Sequence, residues 1–428
     1  MNQKILKYIS AVAFYATIAL MLFLPFSSWL VSLTGQSSIA LVRDGLVFIL
    51  LIAALFLTPI KKVFLGDKIT ILAWAFIAWG ILTVFWGDAS LAQWLKGFRF
   101  TYMPIIMFLA IRNLAFHPKQ KRVIFKLIMT IGVIIGLVAL CELFGLKVPL
   151  TTALSGTNGL DSSHFVGETI IQRLQAILAG PNALGLYMLA VFALILTEYK
   201  FRREWYIGLV FMLIGGVLFF TYSRSALAGL ALMVLIAMVI ALREKMSQYI
   251  AFGLAVLIIG TVGVGGYFLT KQPAVEVFVS HSTSSSLRVE QLQRIWDTKY
   301  EIGLFGRGLG NAGPASQSRL DNGPNHWTEN IYLDIFEDTG LIGLLLYLAT
   351  MTLLVISTVR KSYTPKSATY QYNALILGVS FAIIGLFINY YTGQVGIFIL
   401  WLIYAFSAGP AQPLTLRRRK KKRIVRLG

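Results

Sequence analysis

Charge, cysteine and histidine are all scarce in this chain, and each shortage excludes something. Asp, Glu, Lys and Arg make up 13% of its 428 residues, against roughly 25% in a soluble domain, so a water-facing globular fold is excluded. The single cysteine, Cys141, permits no intramolecular disulfide and leaves the redox compartment unread. The sequence has 4 histidines and no paired Cys and His spacing for zinc. It also lacks an acidic calcium loop, so neither a metal nor a cofactor is expected. No alternation of strand and helix surrounds Gly306, Gly308 and Gly310, so that spacing predicts a tight turn folding a loop back, not a dinucleotide site. No internal repeat relates two halves of the chain.

Apolar residues are abundant instead, at 57% with a mean hydropathy of +0.74. Runs of about 20 of them, each able to cross ~30 Å of hydrocarbon as a helix, recur along nearly the whole length. Only a helix satisfies its own backbone in lipid without closing a barrel. The expected fold class is therefore an all-α polytopic membrane protein with about 12 transmembrane helices. Their positions read as 8–31, 40–60, 69–86, 98–115, 123–145, 174–197, 205–222, 224–242, 249–270, 330–358, 371–391 and 393–409. Residues 1–270 thus hold nine spans with a short external loop at 146–172. A large external loop fills 271–329, three spans occupy 330–409, and 410–428 form a basic tail. The charged then apolar N-terminus resembles a secretory signal, but its apolar run is long and lacks a small-x-small cleavage site, so it reads as a retained span.

Charge sets the expected orientation. The loops on one side, with both termini, hold 26 of the 38 Lys and Arg and 4 of the 18 acids, leaving 12 and 14 for the other side. The positive-inside rule makes the first side cytoplasmic. The net charge of +20 is then a consequence of topology, with the tail resting on anionic lipid, and no nucleic-acid partner is expected.

Two external segments exceed an ordinary turn. Residues 146–172 are rich in Gly, Ser and Thr and read as irregular or short-stranded. The second segment, nearly sixty residues long, carries Leu287, Leu292, Ile295 and Trp296 at near-helical spacing after a serine run that can cap. An amphipathic helix over 287–300 on the outer surface is predicted.

Arg224 interrupts an otherwise apolar run. Tyr206 to Leu242 is 37 residues, about 55 Å as one helix, and basic loops bound both ends. The chain must turn back near the middle, and "TYSRS" supplies the only polar residues for that turn, with Ser223 or Ser225 to cap the second helix. Arg224 then sits just beneath the outer surface, where a guanidinium needs an anionic partner. Lipid phosphate and a loop carboxylate are the plain candidates. Other cations share that depleted side: Arg173, Arg288 beside Arg294, Lys96 and Arg99, and Arg43. Several arginines at one depth suit a lipid-linked phosphate or diphosphate.

The ordered segments "QRLQAILAGPNALGLYML", "TYSRSALAGLAL", "LRVEQLQRIWDTKYEIGLFGRGLGN" and "NHWTENIYLDIFEDTGLIGLLLYL" resemble the O-antigen ligase and polymerase superfamily, the WaaL and Wzy type of bacterial polytopic glycosyltransferases. The resemblance covers about 170–350. It aligns Arg173 with the family arginine before a Pro-Asn pair, here Pro181 and Asn182. It aligns Arg224 with the family Ser-Arg turn, and Arg288 with the arginine before a Gly-x-Gly turn. One departure stands out: ligase-type members commonly place histidine before the Asn that opens the next span, whereas here Glu329 precedes Asn330 and His326 lies one turn upstream. If 326 is already helical, His326, Glu329 and Asn330 share a face by i, i+3, i+4 spacing. The plain alternative is that His326 and Glu329 cap and solvate a helix start. Glu337 and Asp338 read as turn or packing residues.

The resemblance implies transfer of a glycan from undecaprenyl diphosphate to an acceptor sugar hydroxyl on the outer face of the bacterial cytoplasmic membrane. It implies an inverting reaction, with Arg173, Arg224 and Arg288 on the diphosphate and Glu329 or His326 as base. Asn330, Asn182 and Arg99 join the substrate-binding set. Trp327 and Tyr332 are placed to stack on sugars, whereas Trp86 and Trp94 read as interface anchors. The implied partners are the lipid-linked oligosaccharide, an acceptor glycan and membrane lipid. Glu329 in place of histidine favours a polymerase over a ligase. The rival reading is a transporter or flippase of a lipid-linked or anionic polysaccharide, which tends to carry polar residues at the midplane and related halves.

Overall fold

The computed structural model describes residues 3–146, 173–202, 205–243, 282–316, 328–362, 368–389 and 395–409. Among these residues the elements are all helices, joined by turns and irregular segments, with no strand. The helices are α1 (Gln3–Thr34), α2 (Ala40–Leu57), α3 (Ile60–Leu65), α4 (Lys68–Leu82), α5 (Leu91–Asn113), α6 (Pro118–Leu143) and α7 (Pro181–Arg202). They continue with α8 (Trp205–Phe220), α9 (Arg224–Arg243), α10 (Ser282–Ile302), α11 (Gly313–Ser316), α12 (Ile331–Ser362), α13 (Ala368–Ile384) and α14 (Val395–Ala408). By length and composition, 6 described helices suffice to cross a membrane and five shorter ones are apolar. Helices overlap eleven of the twelve positions expected for spans; 249–270 lies outside the described residues. So do the loop at 147–172 and the tail from 410.

Helix starts follow local chemistry. Asp67 caps α4 by accepting the Thr70 N–H at 2.9 Å, and Ser90 caps α5 by accepting that of Gln93 at 3.3 Å. Pro118 opens α6 behind a His117 and Gln120 capping box. Arg112, near the end of α5, ties that helix to the α4 cap through both carboxylate oxygens of Asp67. Burial pushes the Asp67 carboxyl up, but hydrogen bonding and charge from Arg112, with Thr70, hold it below its ordinary value.

α14 forms the centre. Every residue from Val395 to Ala408 is buried, Trp401 and Tyr404 among the largest, as expected of a helix apolar all round. α5, α7 and α13 pack on it. α1 pairs with α2 and α6 and presents exposed apolar side chains such as Val12 and Tyr15.

Three expectations need correction. The span expected at 174–197 begins as a helix only at Pro181, because 173–180 is held as an irregular hook. The span expected at 330–358 is broken: Gly340 adopts φ 68° and ψ −172°, dividing α12 after Thr339. The surface helix runs Ser282–Ile302, so the serines expected to cap it lie inside it. Its buried face carries Ile295 and Ile302, whereas Leu292 and Trp296 are exposed.

The break in α12 explains the Gly-rich turn. Backbone carbonyls freed at Glu337 and Asp338 accept from the N–H of Arg307 at 2.8 Å and of Gly308 at 3.0 Å. The Leu341 and Ile342 amides, opening the second half, donate to the carbonyls of Gly303 and Leu304. Orphan groups at both new helix ends are thereby satisfied. Gly306, Gly308 and Gly310 all have φ between 77° and 91°, which is the tight turn expected from the sequence. A Cβ on Gly310 would lie 2.4 Å from the Gln93 carbonyl oxygen, so the loop reaches α5 only with glycine there.

Candidate functional site

The α8–α9 junction is the turn that the apolar run demanded. Residues Thr221 to Ser223 separate the helices, and Tyr222 takes a positive φ of 50°. Ser223 precedes α9, its hydroxyl accepting from the Ala226 N–H at 3.4 Å and lying 3.3 Å from the Ser225 hydroxyl. Arg224, half-buried, is the first residue of α9.

The hook at 173–180 lies against this turn. Leu174 N–H donates to the Phe220 carbonyl at 3.2 Å, and Arg173 Nε donates to that of Thr221 at 3.0 Å. Arg173 Nη2 also donates to Asn182 Oδ1 at 3.0 Å. Glu142, at the end of α6, holds the hook from behind by accepting from the amides of Gln175 (3.3 Å) and Ala176 (2.8 Å). Close packing of α7 on α9 completes the arrangement, since a Cβ on Gly185 would meet that of Ala226 at 2.7 Å.

The electrostatics join a third segment. Arg173 is lowered to about 10, first by burial and next by the like charge of Arg224, with Glu329 acting in the opposite direction. Arg224 and Glu329, from two further segments distant in sequence, thus each lie within electrostatic reach of Arg173. At neutral pH Arg173 remains a cation.

Glu329 and Asn330 precede α12 in a non-helical stretch, 328–330; the helical face expected for them with His326 lies partly outside the described residues. Asn330 acts as a cap. Its Oδ1 accepts from the amides of Tyr332 (2.9 Å) and Leu333 (3.2 Å), and its Nδ2 donates to the Leu386 carbonyl at 3.1 Å. The Glu329 N–H donates to Gln291 Oε1 on α10 at 3.2 Å. His326, Trp327 and the side chain of Arg288 lie outside the described residues. Arg288 stands three positions before Gln291 in the same helix.

Other charged and aromatic residues singled out in the sequence have partners within the fold. Arg99 makes its ion pair with Asp44, which also holds Arg43 at 2.7 Å. Adjacent opposite charges let α2 carry both residues in an apolar setting. Glu337 is sealed from solvent and takes both guanidinium nitrogens of Arg294, at 2.7 and 3.1 Å. Asp338 accepts from the amides of Gly310 and Ala312. Trp86 donates to the Phe305 carbonyl, Trp94 to Thr83, and Tyr332 to the Ala382 carbonyl. Sequence reasoning overlooked Glu142 and Gln291. Glu142 had a signal, as the only acid in its apolar span; Gln291 had none.

Residues 207–348, from α8 into α12, match the family model described as O-antigen ligase. This region is similar to O-antigen ligases. The match covers less than half of the chain, and the described helices suit a polytopic membrane protein. The matched region contains Arg224, Arg288, Glu329 and Asn330; Arg173 and Asn182 are supplied from outside it. No curated protein matches the chain.

Proposed function

We propose that the protein transfers a glycan from an undecaprenyl diphosphate carrier to an acceptor sugar hydroxyl at the outer face of the bacterial cytoplasmic membrane. The observation that carries this reading is the grouping of Arg173, Arg224 and Glu329 from three separate segments. The acceptor oxygen attacks the anomeric carbon from the face opposite the diphosphate. The bond from that carbon to the diphosphate oxygen breaks, the configuration inverts, and the acceptor proton passes to Glu329. Arg173 and Arg224, joined by Arg288 from α10, neutralise the charge that grows on the leaving diphosphate, and this electrostatic contribution is the largest available to the site. General-base catalysis by Glu329 adds about 10²- to 10⁴-fold.

The Glu329 position, where ligase-type members commonly have histidine, favours polymerisation; the family description favours ligation. Electrophoresis of product made by purified protein from a lipid-linked oligosaccharide, without an energy source, separates them. A ladder marks a polymerase and one shifted band a ligase. Arg224→Ala is expected to remove the product while the protein stays inserted and folded, and full activity in that variant would exclude Arg224 from the reaction. Absence of any new product from the wild type would favour the transporter reading.

A further inference from the structure

Glu329 lies on a short non-helical stretch, yet polar contacts hold that stretch from two sides. From α10, Gln291 Oε1 accepts the Glu329 amide proton at 3.2 Å. From α12, Asp334 lies within hydrogen-bonding distance of the preceding residue: Thr328 Oγ1 is 2.6 Å from Asp334 Oδ1 and also near the Asn330 carbonyl at 2.9 Å. The other oxygen of Asp334 accepts from Asn389 Nδ2, which follows α13. Thr328, Asp334 and Asn389 are all buried. Asp334 and Asn389 also line a cavity of about 20 Å³ with Asp338, room for about one water.

A buried carboxyl group is costly to keep unless its oxygens are hydrogen-bonded, as both are here. Here the two bonds bridge the end of α13 to the residue before Glu329. We propose that Asp334 is a positioning residue for Glu329, acting through Thr328 and held in place by Asn389. This rests on Glu329 being the base. Loss of the chain lets the carboxylate drift without altering how the arginines hold the donor, so kcat falls and the KM for the lipid-linked donor does not.

The test measures steady-state transfer by the purified full chain, with a lipid-linked oligosaccharide as donor. Thr328→Val keeps the volume and removes the hydroxyl; Asp334→Asn keeps the shape and replaces one carboxyl oxygen by an amide nitrogen. Each is expected to lower kcat about 10- to 100-fold, the scale of a misplaced catalytic group, with donor KM within about twofold. Thr328→Ser keeps the hydroxyl and is expected to stay within about threefold of wild type. The exchange Asp334→Asn with Asn389→Asp reverses the donor in the 334–389 bond while leaving an acceptor oxygen for Thr328, and is expected to recover most of the lost kcat. Wild-type kcat in Thr328→Val, or a rise in donor KM that accounts for the whole loss, overturns the proposal. So does a loss as large in Thr328→Ser. Should Glu329→Gln match wild type, Glu329 is not the base and the proposal falls with that reading. If Glu329→Gln is inactive while Thr328→Val and Asp334→Asn are fully active, the positioning proposal alone fails.

Discussion

Replacing Glu337 by Gln is predicted to loosen α10 from α12 without unfolding the helix bundle. Glu337 is fully buried, and its two oxygens take both terminal nitrogens of Arg294; Arg307 stands 4.0 Å away. Removing one member of a buried pair costs about 3–5 kcal/mol, because the other charge stays behind. Here the Arg294 side chain retains 27% exposure and can hydrate, and glutamine keeps one acceptor, so we take about 2–3 kcal/mol. At ~1.36 kcal/mol per tenfold, opening of α10 becomes roughly 30- to 150-fold more frequent. Amide hydrogen exchange reads that population directly when reclosing is fast. Peptides covering 289–302 should exchange faster by that factor, while peptides from α5 keep their wild-type rates. Unchanged exchange in α10, or equal acceleration in both regions, would refute the reasoning.

Two further predictions concern the loop and the charge cluster. Gly310→Ala combines a φ of 90° with a Cβ placed 2.4 Å from the Gln93 carbonyl oxygen, a strain of about 1–3 kcal/mol before any backbone shift. Its melting temperature should fall, whereas Gly215→Ala, with open space at its Cβ, should not destabilise; equal melting temperatures would contradict the loop packing. Burial and the like charge of Arg224 lower Arg173 to about 10, so it is cationic below that pH and becomes neutral above it. Stabilisation by added pyrophosphate should therefore hold from about pH 7 to 9 and fade as pH passes through about 10. Because Glu329 raises this value, Glu329→Gln should move the fade to lower pH in a melting-temperature titration. A fade at the same pH in both proteins would deny the coupling.

Features set by local chemistry were legible in the sequence. The turn before Arg224 is forced by the length of an apolar run and the position of its few polar residues. The fold-back at Gly306, Gly308 and Gly310 follows from glycine spacing, and the helix near 287–300 from its apolar period. Features set by contacts distant in sequence were not. Arg294 and Glu337 are 43 residues apart and Arg99 and Asp44 are 55, so neither pairing leaves a periodic trace. Leu292 and Trp296 looked like the packing face of α10, but sealing Glu337 requires Arg294 inward, and that rotation turns them outward. Gly340 reads as one glycine in an apolar helix until the loop carbonyls and amides that use the break are seen. Asn330 joined the substrate-binding set through the resemblance alone; that its side-chain oxygen caps the first turn of α12 is visible only in the fold.

The central claim is that Arg173 and Arg224 together hold the diphosphate of a carrier lipid, and binding measures it most directly. In nanodiscs of uncharged lipid, the protein should bind undecaprenyl diphosphate at least about 100-fold more tightly than the corresponding alcohol. Arg173→Ala and Arg224→Ala should each lose most of that preference. Equal affinity for the diphosphate and the alcohol in the wild type, or a preference that survives both substitutions, would contradict the account.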